Sequence, residues 1–147
     1  MFYNKYDNKR SQIGGNRMIL EERIKQLNDK KTAMERPYVV YWMQSSQRAE
    51  YNHALEYAIR QANRLEKPLV VYFGITDGFP EANERHYAFM LEGLKETKAA
   101  LEQRGIQMLI RKISPEQGAL EISELAALLV VDRGYLRIER QWRATLA

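Results

Sequence analysis

Residues 38–48 read Tyr38-Val-Val-Tyr-Trp-Met-Gln-Ser-Ser-Gln-Arg48, an apolar run that passes directly into a polar one. Aromatic and β-branched residues favour strands, so we predict a buried strand over residues 38–43, followed by a loop that opens a helix. In an open α/β sheet, ligands bind outside the carboxyl ends of the strands. Residues 43–48 would lie at that edge, and we therefore look for a binding site there.

The composition is that of an ordinary globular protein and excludes several kinds of site. The chain has 147 residues, of which 45% are hydrophobic and 29% charged, which fits one domain with a real core. It contains no cysteine and only two histidines, which excludes disulfides and thiolate metal sites and argues against a histidine-rich one. No run approaches the roughly 18 apolar residues of a membrane span, and no secretory signal is recognisable. We expect a cytoplasmic protein.

The net charge of +4 is concentrated near the N-terminus. Residues 1–37 hold nine of the 23 Lys/Arg and five of the 19 Asp/Glu, so the remainder is balanced. We predict a disordered basic leader over residues 1–17, a lead-in helix (19–27) and linker within residues 18–36, and an α/β domain over residues 37–147. A basic leader can help to hold a phosphate backbone, but such a segment is more often a solvated tail.

Strand and helix patterns alternate along the rest of the chain. We predict strands over residues 38–43, 68–73, 106–111 and 128–132. Helices are predicted over residues 46–65, 84–104, about 114–126, and from 135 to the end. Gly105 is expected at the left-handed position after the second helix, and Ser114 is expected to cap the third. The residues of the second helix predicted to face inward are Tyr87, Met90, Leu91, Leu94 and Leu101.

This alternation predicts a Rossmann-like, doubly wound parallel sheet with helices on both faces. The natural strand order is 3-2-1-4, which places the first and fourth strands side by side at the reversal point. Residues 43–47 would then lie against residues 132–134 and form a crevice. The fourth strand would be an exposed edge, which invites pairing with another chain, so a homodimer through that strand is plausible.

The loop after the first strand contains no glycine. Dinucleotide fingerprints and P-loops need glycines so that backbone N–H groups can approach phosphate closely, which weighs against ordinary NAD or ATP binding. Ser45 or Ser46 alone would usually be a helix cap. Gln47 and Arg48 are long enough to reach a planar heterocycle.

Polar residues after the fourth strand have two interpretations each. Asp132 can bind a ribose or a ring N–H, or it can cap the following helix. The arginines can bind an anion, or they can form a surface salt-bridge network with Glu139 and neighbouring acids. These arginines are Arg133, Arg137, Arg140 and Arg143. No Ser-His-Asp set, metal cluster or paired carboxylates is apparent, so the pattern indicates a binding domain without its own active site.

Five segments, taken in order, resemble class II cyclobutane-pyrimidine-dimer photolyases from about residue 19 to the end. The first consists of residues 39–43 followed by Gln47-Arg48. The last consists of Val131-Asp132 followed by Leu136-Arg137 and by residues 140–143. The middle three are Asn52-His53-Ala54-Leu55, Pro68-Leu69-Val70-Val71 and the ten residues from Arg85 to Leu94. Each segment alone is a weak signal, but five at family spacing are specific.

The resemblance implies the N-terminal α/β domain of a light-driven DNA repair enzyme. In such enzymes reduced FAD donates an electron to a pyrimidine dimer. Many of them also carry an antenna chromophore, often a deazaflavin, bound by the α/β domain, so the resemblance implies that this part either binds such a chromophore or serves as a scaffold. The resemblance also implies that FAD and UV-damaged DNA bind to a helical domain that these 147 residues lack. We therefore expect this chain alone to be inactive.

Two alternatives remain open, a cryptochrome-like photoreceptor domain and a stand-alone nucleotide-binding α/β module. If the chain is a photolyase domain, we predict an antenna site from two sources, the expected crevice between the first and fourth strands and the positions that match the family. Its residues are Trp42, Met43, Gln47, Arg48, Phe73, Met90 and Asp132.

Overall fold

Four parallel strands form one sheet in the order β3-β2-β1-β4, which confirms the predicted topology. The computed structural model describes residue 19 and residues 21–76 and 83–146, so the predicted leader over residues 1–17 lies outside the described residues. The strands are β1 (Tyr38–Trp42), β2 (Leu69–Ile75), β3 (Gln107–Lys112) and β4 (Ala126–Val131). The helices are α1 (His53–Arg64), α2 (Glu84–Gln103), α3 (Pro115–Ser123) and α4 (Arg137–Leu146).

Strand β1 is the centre of the molecule. It pairs with β2 on one side and β4 on the other, so that Val40 lies beside Val70 and Leu129. Residues 39–43 are completely buried, because a central parallel strand is covered by helices on both faces. The carboxyl end of β1 therefore lies next to that of β4, at the predicted reversal point.

Alternate side chains of β1 enter two separate cores. Val39, Tyr41 and Met43 join a cluster that includes Leu55 of α1 and Leu101 of α2, which we call the α1/α2 face. Val40 and Trp42 join a smaller cluster with Tyr72 of β2, Ala119 of α3 and Trp142 of α4, which we call the α3/α4 face. The division follows from the two-residue period of a strand.

The observed bounds of helix α2 agree with the prediction to within one residue, and the residue after its C-terminal end has the predicted left-handed conformation. Gly105 has φ 74°, the left-handed conformation that glycine adopts without a Cβ penalty. Leu94 and Leu101 face inward as predicted, with 1% and 0% exposure. The inward prediction is wrong for Leu91, which is 50% exposed because it lies toward the flank of the buried stripe.

Helix α1 begins at His53, seven residues later than predicted. The reason is a stronger N-terminal signal: Asn52 Oδ1 accepts the Leu55 N–H at 3.1 Å and caps the helix. Ser46 is therefore not the cap of α1, and residues 43–52 form a long loop. We call this segment the β1 loop.

Two further local predictions are wrong. Ser114 precedes α3, but its side chain makes no capping hydrogen bond, and Pro115 occupies the first position of the helix. In the lead-in segment the structure has a short 3₁₀ turn, Glu21–Arg23, in place of a helix over residues 19–27. Ile24 and Leu27 are 39% and 42% exposed, so a helix there would lack the packing that stabilises short helices.

Strand β4 is an edge of the sheet, as predicted, and the lead-in segment is attached to its beginning. The Ala33 N–H donates to the Ala127 carbonyl at 3.0 Å. Arg36 Nη1 donates to the carbonyls of Ser123 and Ala126 at 3.4 and 3.5 Å. Pairing of this edge with a second copy of the chain remains a prediction.

Candidate functional site

Asp132 holds the β1 loop from the end of β4. Its Oδ1 accepts the Gln44 N–H at 3.0 Å, and its Oδ2 accepts the Ser46 N–H at 2.7 Å. The residue is only 7% exposed. Burial raises the pKa of Asp132 above its usual range, and the N–H donors of Ser46 and Gln44 offset part of that rise. The carboxylate therefore fixes the backbone of the β1 loop and does not cap the following helix, while its predicted contact with a ligand remains a prediction.

Asn52 fixes the other end of the same loop. Its Nδ2 has two hydrogens to share among three acceptors, the Ser46 carbonyl at 2.9 Å, the Arg48 carbonyl at 3.2 Å and Tyr41 Oη at 3.0 Å. Burial and the neighbouring Asp132 carboxylate raise the pKa of Tyr41 well above its ordinary value. In the sequence Asn52 stands out only as part of a family segment, and the signal for its role is the Asn-x-x-Leu spacing of a helix cap.

Glu139 connects the β1 loop to helix α4. Ser45 Oγ donates to Glu139 Oε1 at 2.7 Å, and the Leu136 N–H donates to Glu139 Oε2 at 3.1 Å. Glu139 is 8% exposed, and a Cβ on Gly134 would collide with its carboxylate. The signal that identifies this contact is an acid three residues after Leu136, the spacing of a helix-start cap.

Because Glu139 accepts hydrogen bonds from Ser45 and Leu136, the predicted salt-bridge network between Glu139 and the arginines after β4 is not formed. Within the described residues, none of the arginines from position 133 onward forms an ion pair. Arg143 Nη1 donates instead to the Gly134 carbonyl at 2.7 Å. Arg133 lies 5.6 Å from the ring centre of Tyr135, which is 80% exposed. Arg137 and Arg140 are exposed, so this surface is basic and aromatic.

The seven predicted antenna residues lie in three places. Trp42 belongs to the α3/α4 face. Met43 and Phe73 are core residues of the α1/α2 face, and Met90 packs against that core. A single ligand would have to reach around the end of β1 to contact both groups, and contact between any of the seven and a ligand remains a prediction.

Gln47, Arg48 and Asp132 form the third place, at the β1 loop. Gln47 Nε2 donates to the Gln44 carbonyl at 3.3 Å, and its own carbonyl accepts from Thr97 Oγ1 of α2 at 3.1 Å. The Arg48 side chain is exposed. Its guanidinium makes no hydrogen bond or ion pair to another residue of the described ranges, so it is available to a ligand at this edge.

Several buried polar atoms have no hydrogen-bond partner in the part of the chain that the structure describes. They are Trp42 Nε1, Gln44 Nε2 and Oε1, Tyr72 Oη and Glu116 Oε2. Most buried side-chain polar atoms are paired, so each such group calls for an explanation. The sequence pattern does not single out Gln44, although it follows Trp42 by two residues at the end of β1.

Residues 21–76 and 83–146 hold neither a cluster of metal-ligating side chains nor a membrane-spanning helix. These ranges contain no group of three or more His, Cys, Asp or Glu side chains that could hold a metal ion. Across the same ranges, none of the helices combines the length and apolar character that crossing a membrane requires.

Comparison with known families gives a match over most of the chain. A family model described as DNA photolyase matches residues 39–147. These residues include nearly all of the four strands, all four helices and the whole β1 loop.

Curated proteins with the same enzyme name are similar to the chain. The deoxyribodipyrimidine photo-lyase of Methanothermobacter thermautotrophicus is 51% identical over 125 residues, which are 85% of this chain and 28% of that protein. Proteins of that name from Arabidopsis thaliana and Potorous tridactylus are 45% and 44% identical over 40% and 44% of this chain, and over 12% of each relative. The matched segments thus span 28% of the first relative and 12% of each of the other two.

A solved structure shares the architecture. The universal stress protein UspA from Lactobacillus plantarum matches with a TM-score of 0.52 and 11% identity, over 76% of this chain and 90% of that one. At this level of identity the likeness concerns the fold alone.

Proposed function

Because the chain belongs to the DNA photolyase family, we propose that it is the N-terminal α/β part of a class II deoxyribodipyrimidine photo-lyase and that it binds an antenna chromophore there. The relatives carry the name of this enzyme, which favours repair over a cryptochrome-like role. The observation that carries the proposal is the β1 loop, which Asp132 and Asn52 hold over the reversal point between β1 and β4.

The residues of the β1 loop fit a planar chromophore of the deazaflavin type. When bound, such a group absorbs light and passes the excitation energy on. The loop would supply the Arg48 guanidinium, which can stack on an aromatic ring or bond to its oxygens, and the Gln47 carboxamide. Asp132 would act indirectly, because its carboxylate oxygens already accept the Gln44 and Ser46 N–H groups and thereby keep the loop in one shape.

In this proposal, FAD and UV-damaged DNA bind outside residues 39–147 in a longer enzyme. The described residues then take no part in binding FAD or in the chemical steps of repair. Splitting a dimer requires the damaged bases to be unstacked and held in a fitted site.

A titration tests the antenna role. The purified chain is mixed with increasing 5-deazaflavin, and binding is followed by the fluorescence of the chromophore. We expect saturation at one chromophore per chain. Replacing Arg48 by alanine should weaken the affinity about tenfold, since a hydrogen bond to a charged group contributes about 1.5–3 kcal/mol.

The matched control is Arg64→Ala, because Arg64 is exposed at the end of α1 and donates to its helix neighbour Gln61. It should leave the affinity unchanged. Tight binding of ATP without any affinity for deazaflavin would favour a nucleotide-binding module instead. Illumination of the chain with FAD and a dimer-containing oligonucleotide should give no repair. Repair under these conditions would contradict the proposal that FAD and damaged DNA bind outside residues 39–147.

A further inference from the structure

The two edges of the sheet differ in composition. Strand β3 is one edge and carries Arg111 and Lys112, and charged side chains on an edge strand hinder its pairing with another sheet. Strand β4 is the other edge, and its six residues, Ala-Ala-Leu-Leu-Val-Val, include no charge and no proline. An apolar edge of this kind is prone to pair with another chain, so its protection has to come from elsewhere.

The lead-in segment, here residues 21–36, reaches the beginning of this edge. The Ala33 N–H donates to the Ala127 carbonyl at 3.0 Å, and this is the one backbone hydrogen bond between the segment and β4 among the described residues. Arg36 adds two longer contacts, from Nη1 to the carbonyls of Ser123 and Ala126. While the segment is in place, the Ala127 carbonyl is not free to accept from another strand.

Farther from β4, the lead-in segment follows helix α1. Arg23 Nη1 lies 3.4 Å from Nε2 of His53, the first residue of the helix. The Met34 carbonyl accepts from Lys67 Nζ at 2.8 Å, just beyond the last turn of the helix. Because these contacts lie at opposite ends of α1, the segment runs alongside the helix and ends at the beginning of β4.

The segment is held weakly. Ile19, which precedes it, is buried, but none of residues 21–36 is. Ile24, Leu27 and Met34 are 39%, 42% and 59% exposed. A segment with so few buried apolar contacts opens at a small free energy, so it can detach while the sheet stays folded.

We propose that the lead-in segment is a detachable guard of the β4 edge, and that its release lets β4 pair antiparallel with β4 of a second copy of the chain. Each copy then contributes the same strand, so the contact closes as a two-fold dimer. The Ala127 carbonyl would exchange its bond to Ala33 for one to the partner strand. The inference goes beyond the proposed antenna role and does not depend on it.

The decisive variant is Ala33→Pro in the full chain, because proline has no N–H to donate to Ala127. Sedimentation velocity over a series of concentrations measures self-association. We expect the dissociation constant of the dimer to be about tenfold to a hundredfold lower for the variant than for the original chain, since each of the two guards loses one hydrogen bond.

A double variant, Arg23→Ala with Lys67→Ala, releases the segment at the two ends of α1 and leaves every residue near β4 unchanged. It should also favour the dimer, and it repeats the test if the proline variant fails to fold. The matched control is Lys31→Pro, because Lys31 is exposed and its N–H makes no hydrogen bond in the described chain. The control should associate no more than the original chain.

Hydrogen exchange locates the contact. In the Ala33→Pro variant, amides of residues 126–131 should exchange more slowly at high than at low protein concentration, while those of β3 stay the same. Variants that remain monomeric at the highest concentration would overturn the inference. So would an original chain that dimerises as strongly as the variants, protection outside β4, or assemblies larger than a dimer.

Discussion

The two faces of the sheet use buried polar groups in opposite ways. On the α1/α2 face the Tyr41 hydroxyl is hydrogen-bonded to Asn52 inside a large apolar cluster. On the α3/α4 face the Trp42 indole N–H and the Tyr72 hydroxyl lie in a smaller cluster, without partners among the described residues. Tyr41, Trp42 and Tyr72 belong to adjacent positions of two paired strands, so the contrast arises over a short stretch of one sheet.

The difference indicates a division between stability and recognition. A fully bonded and densely packed face contributes to folding, whereas unsatisfied polar groups lower stability and persist where a function uses them. We therefore expect substitutions on the α1/α2 face to act on the free energy of unfolding and those on the α3/α4 face to act mainly on binding.

The largest expected effect is loss of packing on the α1/α2 face. Leu101→Ala should lower the free energy of unfolding by about 3 kcal/mol, because it removes a completely buried side chain and leaves a cavity. Leu146→Ala, at the partly buried end of α4 on the other face, should cost less than half as much. Urea unfolding measures both, and equal losses would contradict the contrast between the faces.

Asp132→Asn should lower the free energy of unfolding by about 2 kcal/mol. The amide keeps one acceptor but turns an NH₂ group toward the N–H of Gln44 or Ser46, both of which now donate to the carboxylate. Urea unfolding is again the measurement. The exposed residue Asp29 offers a control, and Asp29→Asn should be neutral. An equally neutral Asp132→Asn would mean that the β1 loop does not depend on this carboxylate.

The same residue predicts an unusual dependence on pH. Burial raises the pKa of Asp132 in the folded chain, so the folded state binds its proton more tightly than the unfolded state does. The stability contributed by this group is therefore fully present below the unfolded pKa of about 4 and is lost as the pH rises through the folded pKa. The difference in unfolding free energy between the original chain and Asp132→Asn should increase from about pH 7 to about pH 4.5. A decrease would show that the hydrogen bonds to the carboxylate outweigh its burial.

A pair of matched hydroxyl deletions tests the comparison directly. Tyr41→Phe should lower the free energy of unfolding by about 1 kcal/mol, because it breaks the hydrogen bond with Asn52. Tyr72→Phe removes a hydroxyl without a partner in the described chain and should be neutral or slightly stabilising. Burial also raises the pKa of Tyr72 to about 12, so its hydroxyl is neutral under these conditions. Thermal unfolding of the two variants measures this difference. If Tyr72→Phe lost more stability than Tyr41→Phe, the proposed roles of the two faces, stability for α1/α2 and recognition for α3/α4, would be contradicted.

The smallest effect is expected on the outer part of helix α2. Leu91→Ala should change the free energy of unfolding by less than about 0.5 kcal/mol, since the side chain is half exposed. Leu94→Ala, almost one turn further and buried, provides the contrast in the same helix. Similar losses for the two variants would indicate that Leu91 is covered in solution.

The topology was predictable from sequence because it depends on alternation along the whole chain. The strand order 3-2-1-4 and the bounds of α2 follow from hydrophobic patterns that extend over many residues. The conformation of Gly105 follows from the preference for glycine just after the end of a helix. The family was predictable as well, since five separate segments occur at its spacing.

The details of the site were less predictable because they depend on contacts between distant residues. A serine and an asparagine both look like helix caps, and only the packed loop favours Asn52 over Ser46. Asp132 was expected to bind a ligand or to cap the following helix, and its hydrogen bonds to two backbone N–H groups of the loop could not be predicted from the sequence. The two-residue period of β1 would have been enough to predict that Trp42 and Met43 lie on opposite faces of the sheet. The same period does not predict the orientation of Gln44, because that residue follows the end of the strand.

The hydrogen bond between Ser45 and Glu139 has a consequence for how the molecule opens. Glu139 also accepts the Leu136 N–H, and Gln44 and Ser46 are held by Asp132. Breaking any of these bonds exposes the others, so the β1 loop and the start of α4 should unfold locally as one cooperative unit. In hydrogen exchange, the amides of Gln44, Ser46 and Leu136 should then share one opening free energy, and a bound ligand should slow all three together.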